Sequence, residues 1–274
     1  MPKFLNIACG STYIRSADWE NVDYAPSDPA VKKANLLKNL KTSETKYDVI
    51  YCSHFIEHIP PEQLETFLLG CKALMRKDSL LRIVVPDSES LLREYLKHKD
   101  AGNKSFSEFA FVNFLDQCVR RQSGGLLEEY LAKIASGRLS ELKEYGQDVC
   151  GSKAIDAHVQ VALPASKASK LLSLIRRPTR AWITIEPYYI RLVCALLPQA
   201  FREQNVSFCS AGEKHLWMYD FDSLKSLLSQ TGFSRIDRRT FDTSLRTDRL
   251  FAPLDEADGK PRKGNHQLFA EVQL

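Results

Sequence analysis

Short apolar runs of strand length alternate with stretches of helical period through the first hundred residues. This alternation limits the fold more than any other feature of the chain. Phe4-Leu5-Asn6-Ile7-Ala8 reads as a buried strand stopped at Gly10-Ser11, and Trp19 to Asp23 as a second, closed by Ala25-Pro26-Ser27-Asp28-Pro29. Val31 to Leu36 is a third strand and Tyr47 to Cys52 a fourth, β-branched and aromatic. Pro61 opens a helix, where its missing N–H costs nothing. Leu64, Phe67, Leu68, Cys71, Leu74 and Met75 form that helix's apolar stripe. Leu80 to Val85 is a fifth strand ended by Pro86, and Ser88 to Lys97 continues as a helix. Strands interleaved with helices imply a parallel sheet covered on both faces.

Beyond residue 100 the pattern becomes helical. Phe106, Phe109, Phe111, Phe114 and Leu115 mark one helix, and Leu126, Leu127, Tyr130, Leu131 and Ile134 another. Residues 164–205 read as two helices or a bent one. The alternation resumes with a helix from Phe221 to Gln230, a strand from Phe233 to Phe241 and a last strand from Gln267 to Val272. The expected organisation is an α/β core from 1–99 and 212–274, with a helical insertion over 100–211. A chain of 274 residues is long enough to bury a core without staples.

The seven cysteines are odd in number and contain no Cys-x-x-Cys pair, which argues against a disulfide framework and for a reducing compartment. Thirty-eight basic against 34 acidic residues give +4, too mild to argue for nucleic acid. The most apolar late stretch, Ala181 to Phe201, is broken by Glu186, Pro187, Arg191 and Pro198, whereas a membrane span needs about 20 mainly apolar residues. No secretory leader is legible at the start, so the expected location is cytoplasmic.

Ligands of open α/β sheets bind at the carboxyl ends of the strands. Gly10 stands at the end of the first strand, where a glycine lets backbone approach a ligand closely. Asp23 closes the second strand and suits the two hydroxyls of a ribose. Asn35 follows the third, with an amide that can read an adenine edge. His54 follows the fourth and faces whatever the first turn holds.

Asn6-Ile7-Ala8-Cys9-Gly10-Ser11, Asn21-Val22-Asp23, Tyr47 to His58, and Leu81-Arg82-Ile83-Val84-Val85-Pro86-Asp87 together resemble class I S-adenosylmethionine-dependent methyltransferases. The closest subgroup is the small methyltransferases associated with glycan biosynthesis. Its late signature is matched at His215 and Trp217-Met218-Tyr219-Asp220. The resemblance covers residues 3–99 and roughly 212–242, and leaves out the insertion. It implies a Rossmann-like seven-stranded sheet with an antiparallel pair at its end. It also implies S-adenosyl-L-methionine as cofactor and S-adenosyl-L-homocysteine as product. The cofactor residues under this reading are Ala8, Cys9, Gly10, Ser11, Asp23, Tyr24, Asn35, Leu36, Ser53 and His54. Three positions depart from the family: Ala8 and Thr12 replace glycines, and Asn35 replaces an aspartate.

Methyl transfer from a sulfonium demands that the reactants be positioned and that one proton leave the acceptor. His54, His58 and His215 are the candidates for that base. The expected reaction is O-methylation of a sugar or another small-molecule hydroxyl. Two alternatives stand beside it. One is a methyltransferase-like fold that binds without turnover, suggested by Ala8, Thr12 and Asn35. His54-Phe55-Ile56-Glu57-His58 also reads as His-x-x-Glu-His, the spacing of an inverted zinc-peptidase motif, which suggests a metal-dependent hydrolase. Ile59-Pro60-Pro61 limits any helix there to one turn, and zinc needs a further protein ligand, so no metal site is assigned. Glu57 or His58 also suits a magnesium ion, and Glu57 and His58 also suit a purely structural role that pins the turn.

The insertion is expected to form a lid over a small-molecule or glycan acceptor. Lys167, Lys170, Arg176, Arg177 and Arg180, interleaved with leucines, suit weak contact with an anionic membrane surface through 167–180. The favoured reading is a solvated face on a helix packed within the lid or a homodimer.

Overall fold

A computed structural model describes residues 3–40, 45–151, 155, 188–209 and 212–274. The basic stretch 167–180 lies outside the described residues. Strands β1 (Phe4–Ile7), β2 (Trp19–Asp23), β3 (Val31–Lys33), β4 (Tyr47–Ser53) and β5 (Met75–Pro86) are joined late in the chain by β6 (Arg235–Arg239) and β9 (Gln267–Gln273). A small separate hairpin, β7 (Glu256–Ala257) and β8 (Lys260–Pro261), lies between those last two. The sheet order is β3-β2-β1-β4-β5-β9-β6. Neighbours among the first five strands pair parallel, and β9 runs antiparallel to both β5 and β6. This is the seven-stranded sheet with an antiparallel pair at its end that the resemblance implied.

The middle of the sheet is buried on both faces, which is why β4 and the Leu80–Val85 part of β5 read as mainly apolar runs. One face is covered by α2 (Pro61–Leu74) and α8 (Phe221–Gln230), which contribute Leu64, Phe67, Leu68, Cys71, Leu74, Leu224 and Leu228 to the main core. Pro61 begins α2, as its fixed φ favours. Asp220 caps α8, accepting from Ser223 N at 2.7 Å while the Ser223 side chain returns a bond to the cap. The other face packs Trp19, Val49, Tyr51, Leu80 and Val84 against Phe251 and Leu254, from the connection between β6 and β9. That connection includes the one-turn helix α9 (Ala252–Asp255).

Helix α3 (Ser88–Asp100) leads from β5 into α4 (Lys104–Val119), α5 (Gly125–Ala135) and α6 (Lys143–Cys150). Phe109, Leu127, Leu131, Ile134, Leu142, Val149 and Ile155 give these helices a core of their own. α4 packs along α3, and this contact ties the helical group to the carboxyl edge of the sheet. The short helix α7 (Gln199–Asn205) belongs to the later described stretch. No helix among the described residues is long and apolar enough to cross a membrane.

Three element boundaries differ from the sequence expectation. The third strand stops at Lys33, because Leu36 turns into the core and opens α1 (Leu36–Asn39). The fifth strand begins at Met75, with a register shift against β4 and Asp78 at positive φ absorbing the polar run Arg76–Ser79. The Phe233–Phe241 run contributes only Arg235–Arg239 to the sheet. Phe233 packs under α8, and Phe241 packs with the Phe251 cluster on the opposite face.

A buried arginine joins the second face to the sheet. Arg82 is fully buried on β5 and donates through Nε to Asp255 at 2.8 Å and through Nη1 to Glu271 at 2.7 Å. Its remaining donors reach the carbonyl oxygens of Thr243 and Thr240 at 3.1 and 2.9 Å. The rings of Phe251 and Phe269 lie about its guanidinium at 4.8 and 5.0 Å. Tyr51 donates to Asp255 at 2.6 Å, and Ser244 and Leu245 N donate to Glu271. Removing one partner of a buried ionic network leaves the others uncompensated. Arg82→Met is therefore expected to lower unfolding stability by about 3–5 kcal/mol, measured by urea denaturation. A loss below about 1 kcal/mol, the range of exposed pairs, would contradict this account.

Candidate active site

The carboxyl ends of β1, β2 and β4 meet at the first turn. Ala8 and Gly10 both take positive φ, 53° each, and the turn curls back toward β2. Gly10 N donates to Asp23 Oδ2 at 2.9 Å, and Ala25 N donates to Asp23 Oδ1 at 2.9 Å. A Cβ at Gly10 would meet nothing within 4 Å, so the turn presents bare backbone to open space. Burial, with help from Asp23, pushes the Cys9 thiol up to about 12, which keeps it neutral and unreactive.

Ala8, Cys9, Gly10, Ser11, Ser53 and His54 line one cavity of about 350 Å³, together with His58, His215, Tyr51, Gln117 and Lys263. Asp23 touches that turn from the side. The other cofactor candidates are not brought there. Tyr24 is exposed on the surface, while Asn35 and Leu36 border a separate cavity of about 120 Å³ beside Glu20, Val22 and Tyr47.

A second cavity of about 360 Å³ lies between the strand edge and the helical group. Leu91, Leu127, Leu131 and Val149 supply apolar walls, and Asn113, Gln117, Arg120, Glu128 and Gln267 supply polar ones. His54, Gln117 and Lys263 belong to both cavities, so the two chambers adjoin at these side chains.

His54 itself has φ of 51° and hangs from Val84 O through its backbone N–H at 2.8 Å. Its Nε2 lies 2.5 Å from Gln267 Oε1, while the Gln267 amide nitrogen donates to Lys263 O at 3.1 Å. With the amide oriented in that way, Nε2 carries the hydrogen. The nitrogen left to take a proton is Nδ1, which faces Glu57 Oε1 at 3.2 Å, outside hydrogen-bond geometry.

Glu57 is completely buried, and neither carboxylate oxygen has a hydrogen-bond partner among the described residues. Burial opposes its charge, but His54, His58 and His215 together outweigh burial and hold the carboxyl below the usual glutamate value. His58 Nδ1 lies 2.8 Å from Lys214 O, and the rings of His58 and His215 stand edge to face at 5.0 Å. Burial lowers His215 to about 4, so it is a neutral imidazole near pH 7.

Residues 56–58 form a single 3-10 turn, with His54 before it. His54 and His58 therefore do not share a helical face, and the inverted zinc-peptidase geometry is not formed. Leu216 N and Trp217 N both donate to the backbone oxygen of Glu57, at 2.7 and 3.2 Å. Tyr219 O then accepts from Ser88 N at 3.0 Å, and Asp220 caps α8. The late Trp217–Asp220 run thus stitches the chain to the strand edge and seats His215 beside His58.

Gln117, Lys263 and Gln267 were not selected from the sequence. Lys263 looks like a surface charge in the run Lys260-Pro261-Arg262-Lys263. In the fold Lys263 stays exposed as a residue, but partial desolvation lowers its ammonium below the ordinary lysine value although Glu57 pulls the other way. Only Gln267 carried a signal, as the residue opening the last strand.

No family model and no curated protein matches the chain. Among solved structures, it is similar to a SAM-dependent methyltransferase from Archaeoglobus fulgidus at 12% identity, covering 100% of this chain and 86% of that one, with a TM-score of 0.39. PKMT2 from Rickettsia typhi in complex with AdoHcy is similar at 10% identity over 99% of this chain and 49% of that one, TM-score 0.37. The DhpI–SAH complex matches at 14% identity over 32% of this chain and half, 50%, of its own length, TM-score 0.29. Likeness at this level does not transfer a function, which has to come from the site.

The left-handed conformation at Ala8 costs a residue with a Cβ about 1–2 kcal/mol, against about 0.5–1 for the greater chain entropy of glycine. Ala8→Gly is therefore expected to stabilise the protein by about 0.5–1 kcal/mol, measured by thermal or urea unfolding. Destabilisation would show that the Ala8 methyl makes packing contacts that outweigh the strain.

Proposed function

We propose that the protein is an S-adenosylmethionine-dependent methyltransferase that methylates a hydroxyl of a sugar or another small molecule. The observation that carries this reading is the pair of adjoining cavities at the strand ends. One is walled by the glycine turn, with Asp23 at its flank, and the other by the helical group.

The first cavity fits the cofactor's demands. Each Asp23 oxygen accepts one backbone N–H and keeps a lone pair for a ribose hydroxyl. The uncovered backbone at Gly10 allows close approach of the amino-acid part. When bound, the cofactor supplies an electrophilic methyl group on a sulfonium.

The chain's own residues do the rest. The helical group holds the acceptor in the second cavity, against apolar side chains and the amides of Asn113, Gln117 and Gln267. His54 and Lys263, at the junction, are the groups placed to take the acceptor's proton. For His54 the accepting nitrogen is Nδ1, so its basicity is tied to the Glu57 carboxylate. Lys263 is already partly stripped of water, and a cation nearby further favours its neutral amine.

Asp23→Ala removes two charge-assisted hydrogen bonds worth roughly 1.5–3 kcal/mol each. S-adenosylhomocysteine affinity, measured by isothermal titration, is expected to fall at least about tenfold with the fold retained. Unchanged affinity in the folded variant would move the ribose site elsewhere. The activity is tested by transfer of a labelled methyl group to compounds in a small-molecule extract. Binding of the cofactor with no labelled product under any acceptor fraction would favour a binding protein instead. His54→Gln and Lys263→Met should separate the two bases, since the working base loses about 10²–10⁴ in turnover and the other does not.

A further inference from the structure

The side chains of Glu57, His58 and His215 have a property that proton transfer does not use. One donor atom from each lies within 4.8 Å of the other two. Glu57 is 0% exposed and neither carboxylate oxygen has a hydrogen bond, its nearest neighbour being His54 Nδ1 at 3.2 Å, and Nδ1 of His215, a residue 4% exposed, has no hydrogen bond either among the described residues. A buried carboxylate without a hydrogen bond is costly, and buried charges are normally paired or hold a metal. Here the unpartnered atoms belong to good metal ligands, and they converge.

We infer that Glu57, His58 and His215 form a binding site for a divalent first-row transition ion of the zinc type, open to the 350 Å³ cavity. Two imidazoles and one carboxylate select such an ion over magnesium or calcium, which take oxygen ligands. Three protein ligands leave a coordination position free. His58 and His215 line the cavity, so that position faces it.

The surroundings match the outer support that metal ligands require. His58 gives its Nδ1–H to Lys214 O at 2.8 Å, which leaves Nε2 as the ligand atom. His54, held by Gln267, packs against the carboxylate with its Nδ1 3.2 Å from Glu57 Oε1. Arg120, whose charge bears on His215, is paired with Asp116 at 2.5 Å. Tetrahedral zinc spaces its donors by ~3.4 Å, so the three side chains must draw together by about an ångström.

The role of the ion rests on the methyltransferase reading. An acceptor hydroxyl in the free position would lose its proton to water more readily, because a bound cation stabilises the alkoxide. The base at the junction, His54 or Lys263, would then take its proton from a hydroxyl already acidified by the ion.

The test uses the whole chain, stripped with a chelator and titrated with zinc, cobalt(II) and magnesium, without cofactor or acceptor. One equivalent of zinc is expected to bind at micromolar affinity or tighter. The cobalt form should show the visible bands of a nitrogen–oxygen site and no thiolate-to-metal band, which separates this site from the seven cysteines. Losing a ligand costs at least as much as losing its outer support, so His58→Gln and His215→Gln should each weaken zinc by at least about 10–100-fold, with circular dichroism unchanged. The cobalt spectrum of the wild type decides the matter if a variant fails to fold. The site is overturned by any of four results: no stoichiometric zinc, unchanged zinc affinity in folded histidine variants, thiolate bands, or binding of magnesium alone. S-adenosylhomocysteine titration on the same samples keeps the two readings apart. Cofactor binding without zinc removes only the metal site, and zinc binding without the cofactor removes only the methyltransferase reading.

Discussion

The guanidinium of Arg82 is the interaction on which the second face of the sheet depends. A sheet buried on both sides needs cover on both, and α2 and α8 serve one of them. The other is closed by an irregular connection that has little apolar surface of its own beyond Phe241, Leu245, Leu250, Phe251 and Leu254. Irregular backbone carries polar groups that must be satisfied when buried. Arg82 meets that need at the Thr240 and Thr243 carbonyls while Asp255 and Glu271 balance its charge. Because Leu254 and Lys263 belong to this part of the chain, the same arginine indirectly sets a wall of the cavity at the strand ends.

Much of the fold was legible because parallel strands and amphipathic helices write periodic signals. Trp19–Asp23, the Pro61 helix start and the Phe221–Gln230 helix fall where the pattern placed them. The misplaced ends have local causes. Leu36 obeys the demand of the core over the strand period, and the polar run at Arg76–Ser79 hides an irregular strand start. Of the site, the glycine turn and Asp23 were readable because backbone geometry demands particular residues there. Lys263 and Gln117 were not, because which side chains the fold brings to a cavity wall is a tertiary fact that leaves no trace in spacing. Asn35 shows the converse: a plausible residue type at a plausible strand end whose side chain borders a different cavity.

The histidine-rich turn shows how one motif supports several chemistries until its surroundings are known. As a string, His54 to His58 suggests a helix-borne metal pair. As a 3-10 turn, it separates His54 from His58 and sends Glu57 into a dry interior. His54, His58 and His215 hold the carboxyl below the usual glutamate value despite its burial, and His215 is seated beside it by the bonds from Leu216 and Trp217 to Glu57 O and by its own N–H to Gln117 O. Local conformation and a distant segment together decide what the motif can do.

Gln267 touches His54 across a separation of 213 residues, and β9 is inserted between β5 and β6 instead of being added at an edge. During synthesis from the amino terminus, β1 to β5 and the helical group emerge while the slot beside β5 is still vacant. Until the last strand arrives, β5 presents an unpaired edge, and Arg82 and His54 lack their partners Glu271 and Gln267. Non-local strand insertion of this kind is slow and leaves aggregation-prone surface exposed in the interim. The step that fills the slot beside β5 is thus also the one that brings Gln267 to His54 and Glu271 to Arg82.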